Sequence, residues 1–119
     1  MKRILIIDDL KGQQIVYKYW FSNHSLDFCD NISDASLLVQ VKDYDIILLD
    51  LHLGESESGF SFLENLELKD VKPKVIVVSA YLDSIKELAM KEKKDIVWLT
   101  KEEATQERLS KEMKLKEDS

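Results

Sequence analysis

The sequence contains very little cysteine, proline or glycine. Among its 119 residues there are one cysteine, one proline and three glycines. The single Cys29 cannot form a disulfide within the chain, and no Cys/His spacing typical of a zinc site is present. Because so few glycines and prolines leave little room for linkers, we expect a single domain that spans residues 1–119.

Long hydrophobic runs and an excess of positive charge are also absent. The longest apolar runs, such as Ile4–Ile7, are far too short to span a bilayer. Asp8 and Asp9 arrive before the apolar core of a signal peptide could form. The net charge of −6 disfavours non-specific binding of nucleic acid. We therefore expect a cytoplasmic protein with no membrane insertion and no direct contact with nucleic acid.

What the chain does contain is a set of short apolar runs at regular intervals. Four of them are Ile4–Ile7, Ile46–Leu49, Val75–Val78 and Ile96–Leu99. Continuous runs rich in β-branched residues are typical of strands that are covered on both faces, as in a parallel sheet. A weaker fifth strand with alternating apolar residues is predicted around Leu26–Cys29.

Segments with helical spacing separate these runs. Their shared faces consist of Ile15, Val16, Tyr19 and Trp20; of Ala35, Leu38 and Val39; of Phe62, Leu63 and Leu66; and of Ile85, Leu88 and Ala89. Good N-cap residues precede two of these helices, at Ser33 or Asp34 and at Asp83 or Ser84. The alternation of strands and helices predicts a doubly wound α/β fold with helices on both faces of the sheet.

The end of the sequence is less clearly patterned. Between Glu102 and Lys116 the apolar residues form only a thin stripe, which is weak support for a packed fifth helix. The charged tail from Lys111 to Ser119 is expected to fray.

Chemically useful side chains follow four of the predicted strands. Asp8 and Asp9 follow the first, Asp50 follows the run at Ile46–Leu49, Ser79 follows the next, and Lys101 comes just after the last. In an open parallel sheet, ligands bind at the carboxyl ends of the strands. The topology therefore predicts that three carboxylates, a hydroxyl and an ammonium group converge at one edge.

Three carboxylates that lie close together repel each other. At about 4 Å and an effective dielectric constant of roughly 20, each like-charge pair costs on the order of 4 kcal/mol. A lysine relieves part of this repulsion, and a hard divalent cation relieves more. Oxygen ligands without Cys or His favour Mg²⁺, or Mn²⁺, over zinc. Because Mg²⁺ needs only one or two carboxylates beside phosphate oxygens, one carboxylate is left free for chemistry.

These strand ends resemble the response-regulator receiver domains of two-component and phosphorelay systems. The segments that carry the resemblance are Ile4–Asp9, Asp45–Leu53, Val77–Ala80 and Leu99–Lys101. They occur in the family's order and at similar spacing along nearly the whole chain. The resemblance implies a flavodoxin-like fold with a five-stranded parallel sheet in the order 2-1-3-4-5.

The resemblance also implies a phosphoryl-accepting site. Asp50 would take a phosphoryl group from a histidine kinase, a phosphotransfer protein or a small donor such as acetyl phosphate. Asp9 would bind Mg²⁺ directly, Asp8 would assist, and Asp50 and the backbone carbonyl of His52 would complete the protein ligands. The chain would catalyse its own phosphorylation and dephosphorylation, although it would act mainly as a signalling switch.

Further residues would sense the phosphoryl group. Lys101 would pair with one phosphoryl oxygen, and Ser79 would hydrogen-bond to another. Trp98 would then swing inward, although a static core tryptophan is the alternative at that position. The face formed by the predicted fourth helix, the fifth strand and the fifth helix would bind a downstream protein, an output domain or a second copy of the chain. His52 and Tyr81 flank the site and would tune the phosphate lifetime.

The chain departs from the family pattern at two places. Glu102 stands where the family usually has a proline on a cis bond, so a trans bond is the default expectation. The loop Leu53–Gly59 is acidic and about one residue longer than usual. These departures motivate an alternative, a degenerate receiver that binds partners without phosphorylation. A second alternative, an Mg²⁺-dependent phosphatase with an aspartate nucleophile, would need a second aspartate where His52 stands.

Overall fold

The structure of the protein is a computed structural model that describes residues 1–51, 56–66, 68–69, 72–79 and 96–115. At positions 51 and 56–60 only the backbone is described. The statements below concern these residues.

Five parallel strands form one sheet. They are β1 (Arg3–Ile7), β2 (Ser25–Cys29), β3 (Ile46–Leu51), β4 (Lys74–Ser79) and β5 (Ile96–Thr100). Their order across the sheet is β2-β1-β3-β4-β5, and every neighbouring pair is parallel. The predicted topology is confirmed, including the weaker second strand.

Four helices are described beside the sheet. They are α1 (Lys11–Trp20), α2 (Ile32–Val41), α3 (Ser56–Leu66) and α4 (Gln106–Glu112). The label α4 here denotes the last helix of the chain. The helix predicted around Ile85, Leu88 and Ala89, with its N-cap at Asp83 or Ser84, lies outside the described residues.

Each face of the sheet carries its own hydrophobic core. Because side chains alternate along a strand, Ile4 and Ile6 of β1 pack with residues of α1 and α4, while Leu5 and Ile7 pack with residues of α2 and α3. These four side chains are at most 3% exposed. Burial on both faces explains why the strands read as continuous apolar runs.

Helix α1 turns a different face to the sheet from the one that the sequence suggested. Tyr17 and Phe21 are buried, whereas Ile15 and Tyr19 are 68% and 80% exposed. The rings of Tyr17 and Phe21 stack, and Trp20 meets both of them edge-on. This aromatic cluster buries more apolar surface than the smaller Ile15 and Val16 could, and it sets the rotation of the helix.

Helix α2 begins earlier than predicted, so the N-cap prediction of Ser33 or Asp34 was wrong. The N-cap is Asn31, whose side-chain oxygen accepts a hydrogen bond from the Asp34 backbone N–H at 2.8 Å. Its amide group donates in turn to the Asp34 carboxylate at 3.0 Å. The asparagine therefore satisfies one of the free N–H groups of the first turn, and Asp34 lies within the helix.

The acidic segment after β3 also differs from the expected loop. Helix α3 begins at Ser56, so the second half of the predicted loop Leu53–Gly59 is helical. Residues 52–55 lie outside the described part of the chain. On the inner face of α3, Phe62, Leu63 and Leu66 are buried as predicted.

Helix α4 packs well despite its thin apolar stripe. Leu109 and Met113 are 0% and 1% exposed, and Leu115 packs against the same core. Thr105 caps the helix by accepting a hydrogen bond from the Arg108 N–H at 3.1 Å. Met113 and Leu115 thus lie against the core within the predicted tail, whereas residues 116–119 lie outside the described residues; the fraying of the tail stays a prediction.

The helix ends in a Schellman motif. The Leu115 N–H donates to the Ser110 carbonyl at 3.0 Å, and the Lys114 N–H donates to the Lys111 carbonyl at 3.1 Å. Lys114 adopts a φ of 57°, in the left-handed region that favours glycine. Lys114 therefore occupies a backbone conformation that glycine, which has no Cβ, adopts with less strain.

Replacing Lys114 with glycine should therefore stabilise the protein. We expect Lys114→Gly to raise the free energy of unfolding by about 0.5–1 kcal/mol, because the left-handed conformation costs glycine nothing. The matched control is Lys111→Gly, one turn earlier inside α4, which should lower it by about 1 kcal/mol. Urea unfolding followed by circular dichroism measures both changes, and a loss of stability in both variants would contradict the prediction.

Candidate functional site

The predicted site residues meet at the carboxyl edge of the sheet. Asp8 directly follows β1, Asp50 is near the end of β3, Ser79 ends β4, and Lys101 directly follows β5. Asp8, Asp50 and Ser79 are each only 1% exposed, although all three are polar. Burial of so many polar groups at one edge is unusual in a stable core and is typical of a functional site.

Asp50 forms an ion pair with Lys101 across the sheet edge. The Lys101 ammonium donates to Oδ1 of Asp50, whose side chain is fully buried, while the lysine side chain is about one-third exposed. Burial raises the pKa of Asp50 to about 6, the Lys101 hydrogen bond opposes this rise, and the charge of Asp8 adds to it. The single positive charge of Lys101 therefore does not fully compensate the two buried carboxylates, Asp8 and Asp50, and a further cation at this edge would be bound favourably.

Asp8 links the site to the start of α1. Its Oδ1 accepts a hydrogen bond from the Leu10 N–H at 2.9 Å, and its backbone carbonyl accepts one from the Gln14 side chain at 2.6 Å. The N-cap residue itself, Leu10, makes no side-chain cap hydrogen bond. Asp8 therefore helps the chain enter α1 and also faces Asp50, whereas Asp9 is exposed.

The turn that carries Lys101 is held by two reciprocal hydrogen bonds. The Thr100 N–H donates to Oε1 of Glu103 at 2.9 Å, and the Glu103 N–H donates to the Thr100 hydroxyl at 3.2 Å. This is the pattern of a capping box, here closing a single turn. The described residues contain no cis peptide bond, so the Lys101–Glu102 bond is trans, and Lys101 still reaches Asp50.

Tyr17 is a site residue that the sequence reasoning missed. Its hydroxyl donates to Oδ2 of Asp50 at 3.3 Å, and the residue is 1% exposed. Burial, together with the charges of Asp50 and Asp8, raises the pKa of Tyr17 well above its usual range, so the phenol keeps its proton. The sequence did contain a signal for this contact. Side chains alternate along a strand, so Asp50 is expected on the same face of β3 as Ile46 and Leu48, which share a core with Tyr17.

Ser79 ends the interior strand β4, and Trp98 lies on the neighbouring edge strand β5. Ser79 is in register with Leu51 of β3 and Thr100 of β5, and Trp98 is in register with Val77. The half-buried Trp98 packs against the core on the α2 and α3 side. Within the described structure its buried indole N–H has no hydrogen-bond partner. Trp98 thus contributes to the core here, and its inward movement stays a prediction.

A family model for the response regulator receiver domain matches residues 4–114 of the chain. The chain belongs to this family. Its place in two-component signalling, predicted from the sequence, is confirmed at this level. Comparison with curated protein sequences found no match.

Solved structures similar to this receiver domain share its fold. The Francisella response regulator 1452 receiver domain is 24% identical with a TM-score of 0.79, and the match covers 97% of this chain and 95% of that one. The receiver domain of a putative Luxo repressor protein from Vibrio parahaemolyticus is 22% identical with a TM-score of 0.78, covering 95% and 90%.

A third similar structure carries a modified site. It is a response regulator protein from Burkholderia pseudomallei with a phosphorylated aspartic acid, a calcium ion and citrate. It is 24% identical to this receiver domain with a TM-score of 0.72, and the match covers 92% of this chain and 65% of that one.

The donor set fits a hard divalent cation. Asp8 and Asp50 place two buried carboxylates side by side, and Asp9 adds an exposed one at the same edge. In the described ranges no group of three or more His, Cys, Asp or Glu side chains is arranged to enclose a metal ion. Mg²⁺ does not need such a cage, because it keeps several waters and takes one or two carboxylates.

Some sequence predictions fall outside the described part of the chain. They concern the backbone carbonyl of His52 as a metal ligand, and His52 and Tyr81 as flanking residues.

Among the helices that are described, none is long and apolar enough to cross a membrane.

The reciprocal hydrogen bonds in the Lys101 turn should be measurable in the stability of this receiver domain. We expect Glu103→Ala to lower the free energy of unfolding by about 0.5–1.5 kcal/mol, because the turn loses an acceptor that caps the Thr100 N–H. The control is Glu102→Ala, an adjacent exposed glutamate, which should change it by less than about 0.5 kcal/mol. Equal effects in urea unfolding would refute the role of Glu103.

Proposed function

We propose that this receiver domain accepts a phosphoryl group on Asp50 in a Mg²⁺-dependent reaction and thereby changes its partner-binding surface. The observation that carries the proposal is the buried Asp50 carboxylate paired with Lys101 at the carboxyl edge of the sheet. Asp50 is buried near a second carboxylate and has one lysine as its counter-ion. Such an arrangement contributes little to stability and is typical of a catalytic or ligand-binding site.

The chain's own side chains match the needs of phosphoryl transfer. The reaction requires a positioned nucleophile and neutralisation of the charge that spreads over the phosphoryl oxygens. One oxygen of Asp50 would attack phosphorus, and the bond from phosphorus to the donor's leaving group would break. Lys101 would then pair with a phosphoryl oxygen, and the Ser79 hydroxyl would donate to another.

Asp8, Asp9, Asp50 and the backbone carbonyl of His52 would hold the metal. When bound, Mg²⁺, or Mn²⁺, would neutralise phosphoryl oxygens that a single lysine leaves uncompensated. The phosphorylated aspartic acid and calcium ion of the similar Burkholderia pseudomallei structure support this assignment by analogy.

The proposed donors are a histidine kinase or a phosphotransfer protein, with small phosphodonors as substitutes, and the proposed compartment is the cytoplasm. The new charge on Asp50, about −1.5 to −2, would shift Ser79 and Trp98. The face formed by β5, α4 and the helix predicted around Ile85, Leu88 and Ala89 would then bind a downstream protein, an output domain or a second copy of the chain. We further propose that residues 1–119 act as one domain.

Phosphorylation-independent binding is the less supported alternative. Two departures from the family pattern favour it, Glu102 in place of the usual proline and the acidic segment Leu53–Gly59. The contact between Lys101 and Asp50 argues against it, because the lysine reaches the aspartate without the proline. The phosphatase alternative remains without the second aspartate that it would need.

Intact-mass measurement tests the proposed function. We expect the wild-type protein, incubated with Mg²⁺ and acetyl phosphate or phosphoramidate, to gain the mass of one phosphoryl group. Asp50→Asn should gain none, because its amide cannot act as the nucleophile, and chelation of the metal should abolish the gain in the wild type. No gain in the wild type, with beryllofluoride also leaving the combined fluorescence of Trp20 and Trp98 unchanged, would favour the phosphorylation-independent alternative.

A further inference from the structure

The Tyr17 hydroxyl is a polar group inside an apolar core. The residue packs among Ile46, Leu48 and Phe21 on the α1 side of the sheet and is 1% exposed. A buried hydroxyl is costly unless it is hydrogen-bonded. The Tyr17 hydroxyl donates to Oδ2 of Asp50, 33 residues away in the chain, and the Gln13 side chain also hydrogen-bonds to it. A phenylalanine would fill this place without the polar group, so the hydroxyl calls for a functional explanation.

Tyr17 and Lys101 hold the two oxygens of Asp50 from different sides. Lys101 reaches Oδ1 from the turn after β5, and Tyr17 reaches Oδ2 from helix α1. The lysine can leave Oδ1 to pair with a phosphoryl oxygen, because its side chain is long and partly exposed. Tyr17 is fixed by its ring packing with Trp20 and Phe21 and cannot follow. Its hydrogen bond therefore stays with the aspartate itself.

The strength of this hydrogen bond depends on the chemical state of Asp50. Hydrogen bonds to a carboxylate are stronger than those to a neutral acceptor. When Asp50 becomes an acyl phosphate, its oxygens lose negative charge, and the bond from Tyr17 weakens. When the acyl phosphate is hydrolysed, the carboxylate returns and the bond regains its strength.

We propose that Tyr17 shortens the lifetime of the phosphoryl group by stabilising the Asp50 carboxylate as it leaves. In this step the oxygen of a water molecule bonds to phosphorus, and the bond between phosphorus and the Asp50 oxygen breaks. The electron pair of that bond stays on the carboxylate, the water proton goes to phosphate or solvent, and inorganic phosphate departs. The inference rests on the proposed phosphorylation of Asp50 and assigns a control on its duration.

The proposal predicts that loss of the Tyr17 hydroxyl affects the rate of hydrolysis and the rate of phosphoryl uptake differently. During hydrolysis the Tyr17 bond strengthens on the way to the transition state, so removing the hydroxyl slows decay. During uptake the bond is already present in the resting carboxylate, at 3.3 Å, and weakens as the oxygen attacks phosphorus, so its removal should raise the uptake rate. A purely structural role would instead slow both steps, because a displaced Asp50 is a poorer nucleophile and a poorer leaving group.

The experiment compares Tyr17→Phe with the wild type after phosphorylation by phosphoramidate and removal of the donor. Intact mass followed over time gives the uptake rate and the first-order decay rate. We expect decay to slow about threefold to tenfold in Tyr17→Phe, since part of a charge-assisted hydrogen bond is lost in the transition state. The matched control is Tyr19→Phe, an 80% exposed tyrosine on the same helix, which should decay like the wild type.

The outcomes separate this inference from the proposed function. Wild-type uptake with unchanged decay in Tyr17→Phe, or with uptake and decay slowed together, would overturn the inference and leave the proposed function standing. A wild type that takes up no phosphoryl group would remove both. If Tyr17→Phe is partly unfolded at the assay temperature, both proteins are compared at a lower temperature at which circular dichroism shows Tyr17→Phe to be folded.

Discussion

The ion pair between Asp50 and Lys101 is the interaction on which the arrangement of this receiver domain depends. A carboxylate this deeply buried, with Asp8 beside it, would be costly without a cation in reach. The order β2-β1-β3-β4-β5 supplies that cation, because β3 and β5 flank β4 and their carboxyl ends open on the same edge. The strand order thus brings Asp50 and Lys101 together, and the buried apolar residues of the strands fix their positions.

The position of Lys101 shows how a local sequence can replace a family feature. Where related chains usually have a proline after the lysine, this chain has Glu102 and closes the turn with reciprocal bonds between Thr100 and Glu103. These two bonds act together with backbone hydrogen bonds from the N–H groups of Glu103 and Ala104 to the Thr100 carbonyl, so the lysine is directed at Asp50 without a proline. The departure therefore changes the means by which the lysine is positioned and keeps its partner.

Most of the sheet could be predicted from the sequence, because strands buried on both faces must be apolar throughout and their polar ends then stand out. The rotation of α1 could not, since its apolar residues cover more of the helix surface than the sheet can bury, and only packing decides that Tyr17 and Phe21 face inward instead of Ile15 and Tyr19. Tyr17 was missed as a site residue for this reason. The cap at Asn31 depended on a single side-chain geometry that several nearby polar residues could have provided.

The alternation of side chains along the strands has a consequence for how a signal could spread. Asp50 has the parity of Ile46 and Leu48 and belongs to the α1 and α4 layer, whereas Ser79 has the parity of Val75 and Val77 and belongs to the α2 and α3 layer. A group bonded to Asp50 and hydrogen-bonded to Ser79 would therefore tie together two cores that the sheet otherwise insulates from each other. The sheet edge is in this sense a junction, where one small covalent change is felt by both halves of the molecule.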